Sequence, residues 1–284
     1  REIERLIEVL RGEGVTVRQP DPLDGRQWIR TPYWKSRGVC TACPRDGFLV
    51  VGDEIIETPM PWRCRHFEGL AYRKLFQEYH RYGARWTSAP RPSLKDDLYD
   101  FNFTVPKDHE PMRYVITEAE PVFDAADFTR CGRDIFVTRS NVTNLSGIDW
   151  LRQHLGEDYR IHILESKCRQ PMHIDSTFIP LCPGNVDRLP PILKKWDVLQ
   201  APRPDKAPGQ IISLCSAWLS MNTLMLDHKR IIVEHHQKSM IRALKDWGLE
   251  PIPLPFTSFA PFGGAFHCAT LDIRRRGTLQ SYFD

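Results

Sequence analysis

The chain lacks any apolar run approaching the roughly 18 residues that a membrane-spanning helix requires. Its opening, Arg1-Glu2-Ile3-Glu4-Arg5, has no signal-peptide core. Neither a membrane partner nor a lumenal address is expected, and the location expected is cytoplasmic, with an upstream targeting segment left open. An excess of one charge is also missing: 39 Lys+Arg against 36 Asp+Glu leave +3 over 284 residues. Arg274-Arg275-Arg276 carries no interleaved aromatics, so a nucleic-acid partner is not expected. No GxGxxG or P-loop occurs, which removes the footholds for dinucleotide and NTP chemistry. Cys40-Thr41-Ala42-Cys43 has redox or zinc spacing, but no second CxxC or His pair completes it, and no metal or cofactor is expected. A disulfide framework is unnecessary in a chain long enough to bury a large core, so the eight scattered cysteines read as free thiols.

What is present is a globular composition, 41% hydrophobic and 26% charged, far from the disordered corner. Along it a helical stretch followed within a few residues by a β-rich stretch recurs. Ile3 to Leu10 precede Val15-Thr16-Val17; Leu70 to Tyr82 precede Arg85-Trp86-Thr87; Ile148 to Leu155 precede Tyr159 to Ile163. Leu193-Lys194-Lys195 precede Trp196 to Leu199, and Met240 to Trp247 precede Pro251 to Leu254. Between copies lie apolar strand pairs joined by polar turns: 48–51 with 54–56, the strands flanking Gly132-Arg133-Asp134, and 224–226 with 229–233. The unit is thus a β-hairpin, a helix and a returning strand. One such unit cannot bury its apolar hairpin alone, and a count near five suggests a closed ring, with an open α/β sandwich as the other arrangement. The first copy lacks a hairpin, which would come from the segment around 264–276 plus something upstream. The run Cys182 to Val186 is short for the returning half of a hairpin.

Candidate chemistry is sparse and specific. Cys268 follows Gly263-Gly264-Ala265-Phe266-His267, where two glycines let backbone approach a ligand, and is a candidate nucleophile or a buried small hydrophobe. In Pro171-Met172-His173-Ile174-Asp175, strand alternation would put His173 and Asp175 on one face, able to hold a base and bind a cation. Asp124 and Asp127 lie within an apolar run, and Asp46 precedes the strand at 48–51; acids in such places need a cap, a histidine or a guanidinium to justify them. His235-His236 would point to opposite faces of a strand, hence to the surface. If the repeats form a ring, the acids, the histidine and the cysteine meet near its axis and favour a cationic substrate.

Gly263 to Cys268 followed by Asp272-Ile273-Arg274-Arg275-Arg276-Gly277-Thr278-Leu279-Gln280-Ser281-Tyr282 closely resembles the C-terminus of the amidinotransferases. Phe123 to Phe128 with Gly132 to Phe136, Pro171 to Asp175, Pro44-Arg45-Asp46, Trp62-Arg63 and Trp218 to Asn222 are similar too, so the likeness covers nearly the whole chain. It implies one α/β catalytic domain over 1–284, a five-bladed propeller of ββαβ modules around a central active-site cavity. It also implies transfer of an amidino group from L-arginine, through an amidino-cysteine, to an acceptor amine in a ping-pong cycle without a cofactor. By motif the nucleophile falls on Cys268, the general acid/base on His173, its acid partner on Asp124, and the guanidinium-binding acids on Asp46 and Asp175. Met172 and Ser216 match pocket-lining positions, Cys215 stands where relatives carry serine, and Arg188 is the candidate for the substrate carboxylate. Gln170 replaces an expected asparagine and bears on the acceptor, which is glycine or another small amino acid, or a larger amine of secondary metabolism. The rivals are a deiminase-like hydrolase on the same fold and a non-enzymatic arginine-binding module; a homodimer is left open as the partner state.

Overall fold

The computed structural model describes residues 1–38, 40–176, 178–179, 193, 196–206 and 217–282. The chain divides into two compact units, one of Arg1–Gln19 with Ser176–Thr270 and the other of Pro20–Asp175 with Leu271–Asp284.

The larger unit holds two copies of the expected module. In the first, β3 (Phe48–Val51) pairs antiparallel with β4 (Glu54–Glu57), α3 (Arg73–Arg81) crosses over, and β5 (Arg85–Ser88) returns parallel to β4. In the second, β6 (Phe128–Cys131), β7 (Asp134–Thr138), α4 (Leu145–Leu155) and β8 (Arg160–Leu164) repeat the same order. Every residue of β3, β4 and β7 is buried. The apolar runs are continuous because each face of β3 has its own cover. Phe48 and Val50 pack with Phe76 of α3, while Leu49 and Val51 pack with Phe128, Ile135, Val137 and the α4 residues Ile148 and Leu151. Each such large side chain, fully buried, contributes about 1.5–3 kcal/mol.

The β6–β7 turn shows how tightly the segments are fitted. Gly132 has φ +64, and a Cβ there would lie 1.9 Å from the Gln280 carbonyl oxygen, which accepts from Arg133 N at 3.0 Å. Only glycine serves both the turn and the close approach of the C-terminal segment. α4 begins at Asn144, whose side chain accepts from Gly147 N, an Asx cap of the usual kind. A fourth pair of strands, β1 (Trp28–Arg30) with β2 (Lys35–Arg37), is largely exposed and was not legible as a hairpin.

The smaller unit carries α1 (Glu2–Gly12) and a third module: β9 (Leu224–Met225), β10 (Arg230–Glu234), α5 (Lys238–Asp246) and β11 (Glu250–Leu254), with β10 central. Ile231 and Val233 pack with Met240 and Leu244 of α5. Pro251 and Pro253 are tolerated because β11 is an edge strand.

Three expectations change. Val15–Val17 forms no strand, since the chain after α1 folds back through Val15 N onto Leu10 O. Residues 197–199 likewise form none, and Lys194 and Lys195 lie outside the described residues, as does 182–186. No hairpin comes from 264–276; Leu271 and Ile273 instead pack against the α3 face of the first module. Three complete ββαβ modules therefore stand among the described residues, and the fold class is α/β. No helix among those residues is long and apolar enough to cross a membrane.

Candidate active site

In the larger unit the first strand of each module is preceded by a short turn bearing an acid. Asp46 lies in the single helical turn α2 (Pro44–Gly47) before β3, and Asp124 precedes the 3₁₀ turn Ala125–Asp127 that leads into β6. Equivalent places in neighbouring modules thus present carboxylates, both nearly fully buried. His173 comes to them from beyond β8. Its φ of +57 is a left-handed conformation rare for a residue with a side chain. That geometry costs on the order of 1–3 kcal/mol and persists at functional sites where surroundings over-determine it. The expected strand at 171–175 is absent: His173 is followed by a 3₁₀ turn, Ile174–Ser176, because the left-handed residue reverses the chain. Asp175 is nonetheless buried, like His173.

The imidazole lies between two acids, with Nε2 3.0 Å from Asp124 Oδ2 and Nδ1 3.7 Å from Asp46 Oδ1. Burial opposes charge on the ring, but Asp46 and the bond to Asp124 outweigh it and push the pKa up to about 10. The ring is therefore an imidazolium at neutral pH, able to donate from both nitrogens. Asp124 itself is raised by burial, against the pull of His173. Asp127 is raised to about 7 by burial, although Ser140 and Thr143 hydroxyls both donate to its Oδ2.

One cation ties the acids together, and the sequence reading missed it. Arg65 donates to Asp46 Oδ2 at 2.8 Å and forks onto Glu68 through Nε and Nη2 at 3.0 and 2.9 Å. It also stands 3.8 Å from Asp124 Oδ2. The signal available was the buried acids themselves, which require a counter-charge. The motif match stopped at Arg63, whose guanidinium instead holds the Leu94 carbonyl at 2.9 and 2.7 Å.

Cys268 belongs to the smaller unit and is buried in a turn where Ala269 N bonds Ala265 O. Phe266, in the same turn, stacks on Phe256 with ring centroids 4.5 Å apart. Asn222, a second residue given no role from the sequence, donates from Nδ2 to Cys268 Sγ at 3.1 Å. Of the remaining candidates, Met172 and Gln170 are exposed, while Arg188, Cys215 and Ser216 lie outside the described residues. Six cysteines are free thiols among the described residues, including Cys40 and Cys43; burial pushes the Cys43 thiol well up, which suits an inert side chain.

Among the described residues, two groups offer three close metal-ligating atoms. In Asp46, Asp124 and His173 the Arg65 guanidinium already supplies the positive charge. The other is Glu234, His235 and His236, where the expectation of opposite faces fails. β10 ends at Glu234, and Oε1 of Glu234 bonds His235 Nδ1 at 2.6 Å and lies 3.1 Å from His236 Nδ1. Gln237 binds Asp205 N through Oε1 and Asp205 O through Nε2, so the same Nε2 donates to His236 Nε2 at 2.7 Å. The amide thus takes up His236 Nε2, one of the atoms a metal would need.

No family model matches the chain. It is 47% identical over 289 residues to an L-arginine:L-lysine amidinotransferase of Pseudomonas savastanoi pv. phaseolicola, covering 99% of this chain and 80% of the relative. Against the mitochondrial glycine amidinotransferase of Gallus gallus it is 46% identical over 298 residues, covering 100% of this chain and 71% of the relative. The chain belongs to the amidinotransferase family. The solved structure of SxtG, an amidinotransferase from Microseira wollei in the saxitoxin biosynthetic pathway, agrees. It superposes with a TM-score of 0.96 at 55% identity, covering 99% of this chain and 82% of that one. This amidinotransferase is therefore an enzyme that moves an amidino group to an acceptor amine, and its family likeness extends over the segments that carry the acids, the histidine and the cysteine.

Proposed function

We propose that the chain takes the amidino group of L-arginine onto Cys268 and passes it to a small amino acid or a larger biosynthetic amine, releasing ornithine. The observation that carries the reading is a pair of buried carboxylate oxygens, Asp46 Oδ1 and Asp124 Oδ1, with no hydrogen-bond donor among the described residues, beside a charged imidazole. Buried acceptors left empty cost about 1–3 kcal/mol or more each. A guanidinium, with planar charged N–H groups, is the ligand chemistry that fills them.

In this mechanism Asp46 and Asp175 hold the guanidinium, and Asp124 orients His173 through Oδ2 while its Oδ1 offers the guanidinium a further acceptor. The Cys268 thiolate attacks the guanidinium carbon, forming a C–S bond. The bond from that carbon to the side-chain nitrogen of arginine breaks, its electron pair stays on nitrogen, and His173 supplies the proton that lets ornithine leave as an amine. The acceptor amine then gives a proton to His173 and attacks the same carbon, and the C–S bond breaks to restore the thiolate. The three described modules are read as part of one five-module propeller, a single catalytic domain over 1–284.

Incubation with labelled arginine and no acceptor should leave one amidino group on Cys268, seen by peptide-resolved mass spectrometry. Adducts confined to another cysteine, or full activity in Cys268→Ala, overturn the reading. Citrulline released at a turnover rate from arginine alone would instead identify a hydrolase. Assays with glycine, lysine, γ-aminobutyrate and larger amines identify the acceptor by kcat/KM.

A further inference from the structure

Asn222 is 2% exposed and follows the 3₁₀ turn Ala217–Met221, two residues before β9 begins. Asp46 likewise precedes β3 by two residues, and Asp124 precedes the turn leading into β6. The third module therefore places an amide where the other two place carboxylates. The difference has a chemical reason once the contacts are followed. Asn222 Oδ1 accepts from Ala265 N and from Cys268 N, each at 3.1 Å. Two backbone N–H donors fix which end of the amide is the oxygen, so the atom left facing Cys268 Sγ at 3.1 Å is the NH₂ donor. A sulfur approached by an N–H donor must accept, and a thiolate accepts far better than a thiol. A carboxylate in the same place would repel the thiolate and favour the protonated sulfur.

We infer that Asn222 is the positioning residue of the nucleophile: its carbonyl pins the backbone of the cysteine turn and its amide N–H holds the sulfur and favours the thiolate. The inference rests on the reading of Cys268 as nucleophile and adds to it the group that keeps that sulfur reactive in a buried setting, where desolvation alone disfavours the charge. His267, the titratable neighbour of Cys268 in the chain, stays unchanged in the variants below and serves as a common background.

Asn222→Asp separates the two functions, because it keeps both acceptor contacts to Ala265 N and Cys268 N and replaces only the donor. Asn222→Ala removes all three contacts. The readout is the rate of Cys268 alkylation by iodoacetamide as a function of pH, resolved by peptide mass spectrometry from the other cysteines, together with kcat and KM for arginine. In Asn222→Asp the pH midpoint for alkylation should move up by about one pKa unit or more. Its kcat should fall about tenfold to hundredfold, with KM for arginine within about twofold of the parent, as loss of an interaction made by the reacting group requires. A superimposable alkylation profile in a folded Asn222→Asp chain overturns the inference, as does full activity in Asn222→Asp with loss confined to Asn222→Ala, which would leave Asn222 a backbone clamp only. Failure of the parent chain to form the amidino-cysteine refutes the nucleophile reading, while the alkylation profiles still report on the Asn222 contact.

Discussion

Replacing Arg65 with methionine isolates the electrostatic frame on which the acids depend. Its side chain is 13% exposed and its partners Asp46 and Glu68 only 4% and 8%, so water cannot substitute for the guanidinium. Removing one member of such a buried pair typically costs about 3–5 kcal/mol, because the carboxylates are left uncompensated. For a unit of this size that corresponds to a fall in Tm of about 10 °C at pH 8. The carboxylates can escape by taking up protons, and Glu68 is already pushed up to about 7 by burial even with Arg65 beside it. A carboxyl whose folded pKa lies above its unfolded one contributes stability that is full at low pH and lost as pH rises through the folded value. The deficit of Arg65→Met relative to the parent should therefore shrink on going from pH 8 to pH 6. Arg65→Lys keeps the charge but not the fork, and should lie between the two. Thermal unfolding of the three chains followed by circular dichroism at both pH values measures this. A Tm loss under about 3 °C, or one of equal size at pH 6 and pH 8, would show that the guanidinium does not hold the acids.

His173, raised from 6.5 to about 10, contributes stability that is full below pH 6.5 and lost as pH rises through 10. The parent should thus lose Tm between pH 8 and 10 by more than His173→Gln does, and parallel curves would contradict the charged ring. An NMR titration should find the His173 imidazole protonated at pH 8, with Asp124→Asn lowering its pKa; a midpoint near 6.5 in the parent refutes the assignment. Gly147→Ala places a Cβ 2.4 Å from the Val122 carbonyl oxygen, which is backbone and cannot yield easily. It should destabilise by about 1–3 kcal/mol in urea unfolding, and an unchanged midpoint would mean α4 shifts freely. Gly132→Ala meets the Gln280 oxygen and a strained φ, and should release the C-terminal segment to limited proteolysis near 278–282 while the parent resists.

The modules were legible because their local rules agree: apolar hairpins, amphipathic helices ended by glycine, and short returning strands write periods of 2 and 3.6 into the sequence. That is why 48–57, 85–88, 128–138, 160–164 and 230–254 fall where the pattern puts strands and helices. Where the pattern was carried by two or three residues, as at Val15–Val17 and 197–199, no strand formed among the described residues. The chemistry-bearing residue types were also written in the sequence, and Asp46, Asp124, His173, Asp175 and Cys268 are buried. Tertiary structure alone decided how they are held. The left-handed turn at His173 undid the strand alternation that first paired it with Asp175. Arg65 and Asn222 reach Asp46 and Cys268 across 19 and 46 residues of chain. Contacts that long leave no periodic trace, because they are set by where separate turns meet and not by the spacing of neighbours along one element.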